Sequence, residues 1–140
     1  MRIVILAAKL PARILIVEDT VEFAELVRLA LGRLGAEVNH VTLAEDALRT
    51  VARFQPDLIL LDIGLPDMDG WRLLDTLRKN TYRGGEAPVI IVLTSHGDPA
   101  NRLMGKLQGV DGYLVKTCTM AAIRSTVAEA LQLDPDAIGL

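Results

Sequence analysis

Short, wholly apolar runs recur along this chain, and a stretch of helical period separates each from the next. This alternation limits the fold more than any other feature. The runs are Ile14-Leu15-Ile16-Val17, Leu58-Ile59-Leu60-Leu61, Val89-Ile90-Ile91-Val92-Leu93 and Tyr113-Leu114-Val115, with a weaker strand expected over Glu37 to Val41. Continuous apolar runs fit strands buried on both faces. Strand–helix alternation predicts a parallel sheet with helices on both sides.

The intervening segments carry helix signals. Phe23, Leu26, Val27, Ala30, Leu31 and Leu34 recur at helical spacing, with Asp19 or Thr20 as the cap and Gly35 as the stop. Thr42-Leu43-Ala44-Glu45 reads as a capping box opening a helix with Leu43, Ala47, Leu48 and Val51 on one face, and Pro56 stops it. A loop from Gly64 to Gly70 precedes a helix bearing Trp71, Leu74 and Leu77. Asp98-Pro99 opens a helix whose apolar stripe is Leu103, Met104 and Leu107, and the last helix carries Met120, Ile123, Val127 and Leu131. Right-handed crossovers leave few topologies for five such units. The expected fold is α/β, a flavodoxin-like doubly wound five-stranded parallel sheet in the order 2-1-3-4-5, with helices on both faces.

In such a sheet the carboxyl ends of the strands share one edge, and ligands bind there, where the strand order reverses. Each main run stops at a residue able to handle a phosphoryl group: Glu18-Asp19, Asp62, Thr94-Ser95 and Lys116. Three carboxylates gathered at one edge repel unless a cation intervenes. Mg2+, a hard cation that takes one or two carboxylates and substrate phosphate, suits that edge. Taken singly, Asp19 could equally be a helix cap, Lys116 a solvated lysine, Thr94 an ordinary strand residue and Tyr113 an edge aromatic. Their common address is what makes them a candidate site.

The 140 residues fit one domain, expected over residues 13–133. Residues 1–12 read as a leader, tag or extra edge strand, because their apolar run ends at Lys9 and Pro11 after six residues. Residues 134–140 read as a tail. A net charge of -3 gives no support for direct nucleic-acid binding, and no apolar stretch reaches membrane length. A single cysteine, Cys118, makes a reducing compartment the default, so a cytoplasmic location is expected.

The motifs Ile14–Asp19, Leu58–Gly70 (with Leu-Pro-Asp-Met-Asp-Gly), Val92–Ser95 and Asp111–Lys116 together resemble those of bacterial response-regulator receiver domains, over roughly residues 13–133. The resemblance implies that Asp62 accepts a phosphoryl group from a sensor histidine kinase or phosphotransfer protein. It implies Mg2+ held by Asp19, Asp62 and the Gly64 carbonyl, with Glu18 acting largely through water. Lys116 and Thr94 would contact the phosphoryl oxygens, and Thr94 with Tyr113 would switch the face formed by the fourth helix, fifth strand and fifth helix. It further implies a downstream protein target or an output domain, homodimerisation on activation, and no enzymatic activity beyond the chain's own phosphorylation and dephosphorylation.

Three positions depart from the family pattern. Thr117 follows Lys116 where proline is usual, which predicts a trans bond and a differently shaped loop. Ser95 is bulkier than the usual small residue. Gly64 offers no side chain to shield or orient water; His96 is read as an exposed loop histidine, with that role as its alternative.

Competing readings are weaker. A haloacid-dehalogenase-type phosphatase wants a second aspartate two positions after the nucleophile, where Gly64 stands. No glycine-rich phosphate loop follows the first strand, and three acids disfavour a flavin phosphate. The remaining alternative is a pseudo-receiver, an interaction module that works without phosphorylation.

Overall fold

The computed structural model describes residues 11–134. The expectations for residues 1–10 and 135–140 lie outside the described residues. The elements are β1 (Arg13–Val17), α1 (Val21–Gly32), β2 (Glu37–Val41), α2 (Ala44–Phe54), β3 (Leu58–Leu61), α3 (Gly70–Arg78), β4 (Val89–Thr94), α4 (Pro99–Gln108), β5 (Gly112–Val115) and α5 (Met120–Leu131). The five strands are parallel and ordered β2-β1-β3-β4-β5, as expected.

Side chains alternate across a strand, so each buried run feeds two cores. Ile14, Ile16, Leu58, Leu60, Ile91 and Leu93 meet Ala24, Val27 and Leu31 of α1 and Ile123, Val127 and Ala128 of α5. Leu15, Val17, Ile59, Leu61 and Ile90 meet Ala47, Val51 and Phe54 of α2 and Leu73, Leu74 and Leu77 of α3 on the other face. β1 pairs with β2 on one side and β3 on the other, so the crossovers reverse there. That reversal sets the ends of β1 and β3 side by side.

Two local expectations fail. The Thr42–Glu45 capping box does not form; the N-cap of α2 is Leu43, with no side-chain cap of its own. The carboxylate of Asp67, from the β3–α3 loop, accepts the Ala44 N–H at 3.0 Å and the Glu45 N–H at 3.1 Å instead. A carboxylate at a helix N-terminus satisfies otherwise orphaned donors and complements the dipole, so a tertiary contact replaces the local one.

The apolar stripe of α4 does not enter the core. Leu103, Met104 and Leu107 are 56, 37 and 74% exposed, and only Gly105 of that helix is buried. The reason is at Gly105: a Cβ there would meet the Tyr113 ring at 2.9 Å, so α4 rests on β5 by its glycine and turns its larger apolar residues outward. The expected cap of this helix does form, since Asp98 accepts the Asn101 N–H with Pro99 in the first turn. No described helix is long and apolar enough to cross a membrane.

Candidate functional site

β1, β3, β4 and β5 deliver their terminal residues to one edge. Glu18 and Asp62 are 2 and 6% exposed and Thr94 is fully buried, whereas Asp19 is exposed at the rim. The backbone extends the ladder into the site: the Glu18 N–H donates to the Val41 carbonyl, that of Asp62 to Val17 and that of Lys116 to Thr94. The carboxylates are thus fixed by the sheet itself. Glu18, Asp19 and Asp62 each offer an oxygen within 4.8 Å of the others.

Lys116 closes the cluster. Its ammonium lies 2.5 Å from Glu18 Oε1 and 3.2 Å from Asp62 Oδ2 and sits over the Phe23 ring at 4.7 Å. The expectation of a trans bond after this lysine is overturned, since Lys116-Thr117 is cis. The other Glu18 oxygen accepts the Thr20 N–H at 2.9 Å. Burial pushes the Glu18 carboxyl above the ordinary range, although Lys116 pulls the other way. Burial alone would lower the Lys116 ammonium, but its bonds to Glu18 and the charge of Asp62 outweigh this and hold it raised.

Asp62 Oδ1 accepts the Gly64 N–H at 2.9 Å, which folds the loop back over the acid. The same loop reaches α3 through Gly70, whose N–H donates to the Ile63 carbonyl; a Cβ on Gly70 would fall 2.2 Å from the Ile63 Cα, so only glycine fits.

Thr94 and Tyr113 are joined through His96. Thr94 Oγ1 accepts the His96 N–H at 3.3 Å, and the Tyr113 hydroxyl donates to the His96 carbonyl at 2.5 Å. Tyr113 also stacks on Trp71, with centroids 6.5 Å apart, and lies beneath the Arg102 guanidinium. Burial, with help from the charge of Asp98, raises its phenol. Trp71 Nε1 donates to Asn101 Oδ1 at 2.9 Å, pinning α3 to α4.

All the residues expected at this edge therefore share it. Sequence reasoning missed the cap by Asp67 and the roles of Trp71, Asn101 and Arg102. A signal existed only for Trp71, the single tryptophan, on the rim of a helix opening beside the site. A concavity of about 700 Å³ lies at the opposite end of the sheet beside Arg13, Asp57, Tyr82, Arg83 and Glu86. Its lining holds none of the three acids at the strand ends.

What this arrangement can do is hold a hard cation and present one buried carboxylate, flanked by an ammonium and a hydroxyl, to an incoming phosphoryl group. Comparison with known proteins bears on that reading. The family model for the response regulator receiver domain matches residues 14–128. Regulatory protein LuxO of Vibrio cholerae serotype O1 is 34% identical over 116 residues, which are 83% of this chain and 25% of that protein. The chain thus spans about a quarter of the length of the curated relatives it matches first. Among solved structures, the signal receiver domain of a LuxO repressor protein from Vibrio parahaemolyticus superposes with a TM-score of 0.78 at 28% identity, covering 88% of this chain and 92% of that one. The BeF3-activated receiver domain of Klebsiella pneumoniae RstA gives 0.75 at 32% identity, covering 86 and 98%.

Proposed function

This chain belongs to the response regulator receiver domain family, and on that premise we propose that it takes a phosphoryl group onto Asp62 from a histidine kinase or phosphotransfer protein. The observation that carries the proposal is the setting of Asp62. A nearly buried carboxylate ends β3, with an ammonium 3.2 Å from one oxygen and two further acids beside it. In the transfer, an Asp62 oxygen attacks phosphorus in line. The new O–P bond forms as the bond to the donor breaks, and the donor departs with that electron pair. Lys116 stabilises charge on the phosphoryl oxygens.

The residues fit a divalent cation. Three carboxylates face a single ammonium, the donors are all hard oxygens, and Asp19 stands at the rim. Asp19, Asp62 and the Gly64 carbonyl would hold Mg2+. Glu18, already engaged by Lys116 and the Thr20 N–H, would act through water. When bound, the ion supplies positive charge against the phosphoryl oxygens.

The read-out runs through His96. When Thr94 turns its hydroxyl to a phosphoryl oxygen it gives up the His96 N–H, and the carbonyl of that same residue holds Tyr113. This is a local charge event biasing a two-state element, here α4, β5 and α5. The exposed Leu103, Met104 and Leu107 on that face would then meet a protein target, an output domain or a second copy. Incubation with Mg2+ and acetyl phosphate, followed by intact-mass measurement, tests the proposal: the parent gains one phosphoryl group and Asp62→Asn does not. Equal labelling of the two would refute it.

A further inference from the structure

α4 is seated on the sheet by one buried residue, Gly105, against the Tyr113 ring, while Leu103, Met104 and Leu107 face outward. α3 grips it instead, near both ends. At the start of α4, Trp71 Nε1 donates to Asn101 Oδ1 at 2.9 Å, and Asn101 Nδ2 donates in turn to Asp98, the helix cap, at 2.8 Å. At the far end the Arg78 guanidinium donates to the Gln108 carbonyl and, at 3.3 Å, to that of Gly109. The last carbonyls of a helix lack intrahelical partners, and its dipole favours a cation there. Trp71 and Arg78 are seven positions apart, and so are Asn101 and Gln108. Seven residues span about two turns, roughly 10 Å, so the two grips match in spacing on both helices. Trp71 also stacks on Tyr113, the ring whose hydroxyl holds the His96 carbonyl.

We infer that Trp71 and Arg78 form a clamp that holds α4 in its resting place, so that a phosphoryl group at Asp62 works against these contacts before α4 moves. The inference rests on Asp62 being the acceptor and on α4 belonging to the two-state element. The clamp stands together with the bond from the His96 N–H to Thr94, the bond given up when Thr94 turns to a phosphoryl oxygen. A contact made in one state alone biases the equilibrium toward that state. Loosening the clamp therefore enlarges the fraction of molecules ready for the phosphoryl group, and apparent affinity rises with that fraction. Trp71 and Arg78 are positioning residues, acting on Asp62 only through α4.

The test is the affinity of beryllofluoride in saturating Mg2+, measured by isothermal titration calorimetry. Arg78→Ala and Trp71→Phe, which keeps a ring on Tyr113 but loses the indole N–H, should each bind the mimic several-fold tighter than the parent. The double variant should bind it tighter still. Arg78→Lys, which keeps a cation at the end of α4, should stay near the parent. In the Thr94→Ala background the gain from Arg78→Ala should vanish, because α4 no longer answers to the site. A purely structural role would lower the melting temperature and leave the affinity where it was. A parent that binds the mimic while Arg78→Ala and Trp71→Phe bind it equally or more weakly overturns the clamp. A gain that persists in Thr94→Ala, or an equal gain for Mg2+ alone, also overturns it. A parent that neither binds the mimic nor takes a phosphoryl group from acetyl phosphate overturns the acceptor assignment, and the clamp with it.

Discussion

Lys116 Nζ lies 2.5 Å from Glu18 Oε1, joining the end of the fifth strand to the end of the first across 98 positions of sequence. The side chains are 19 and 3% exposed, so this is a largely desolvated pair. Removing the lysine leaves Glu18 and Asp62 facing each other without their counter-charge. Lys116→Met should lower the unfolding free energy by roughly 3 kcal/mol in metal-free buffer at neutral pH, the scale for breaking a buried pair. Urea unfolding measures it. A loss under about 1 kcal/mol would class the pair with surface salt bridges.

Asp19 sits at the exposed rim of the same cluster. Removing its charge relieves repulsion, so Asp19→Asn should raise the melting temperature of the metal-free protein and shrink the further rise produced by Mg2+. Melts with and without Mg2+ check both halves. A variant less stable without metal, yet unchanged in its Mg2+ response, would take Asp19 out of the cation site.

Asp67 ties the β3–α3 loop to the start of α2 through two backbone N–H groups. The Ala44 N–H first, then that of Glu45, holds the Asp67 carboxyl below its ordinary value. A carboxyl depressed in the folded state contributes stability above its unfolded-state pKa, and that contribution is lost as pH falls through the folded value. Asp67→Ala should therefore melt a few degrees below the parent at neutral pH, and the gap should close in acid. A gap constant with pH would mean that the ionised cap is not what stabilises the helix.

Trp71 is the single tryptophan, and it touches both Tyr113 and Asn101. Its emission should change when Mg2+ and beryllofluoride are added, because a shift of Tyr113 or α4 alters its stacking and its hydrogen bond. Thr94→Ala should bind the mimic with most of that change gone, since a ligand moves such an equilibrium only through contacts that differ between the states. An undiminished response in Thr94→Ala would remove Thr94 as the coupling residue.

The sheet and the edge that gathers the candidate site were readable because buried strands write themselves as unbroken apolar runs, and Asp62, Glu18, Thr94 and Lys116 each end one. Periodicity was less reliable at α4. It marked Leu103, Met104 and Leu107 as one face but could not say whether anything covers that face; Gly105 against Tyr113 decided it. The capping box at Thr42 lost to Asp67, 23 positions from Ala44, and no local window contains that competition. His96 is an exposed loop residue, as read; its approach to Gly64 joins the loops after two different strands, and no local window contains both.

Reduction of the phosphorylated protein by borohydride tests the central assignment most directly, since it converts an aspartyl phosphate into homoserine at the position that carried it. After loading with acetyl phosphate and Mg2+, peptide sequencing by mass spectrometry should find homoserine at position 62 alone. Homoserine at position 19, 67 or 69 with Asp62 intact, or no conversion of a protein that binds Mg2+, would contradict phosphoryl transfer to the end of the third strand.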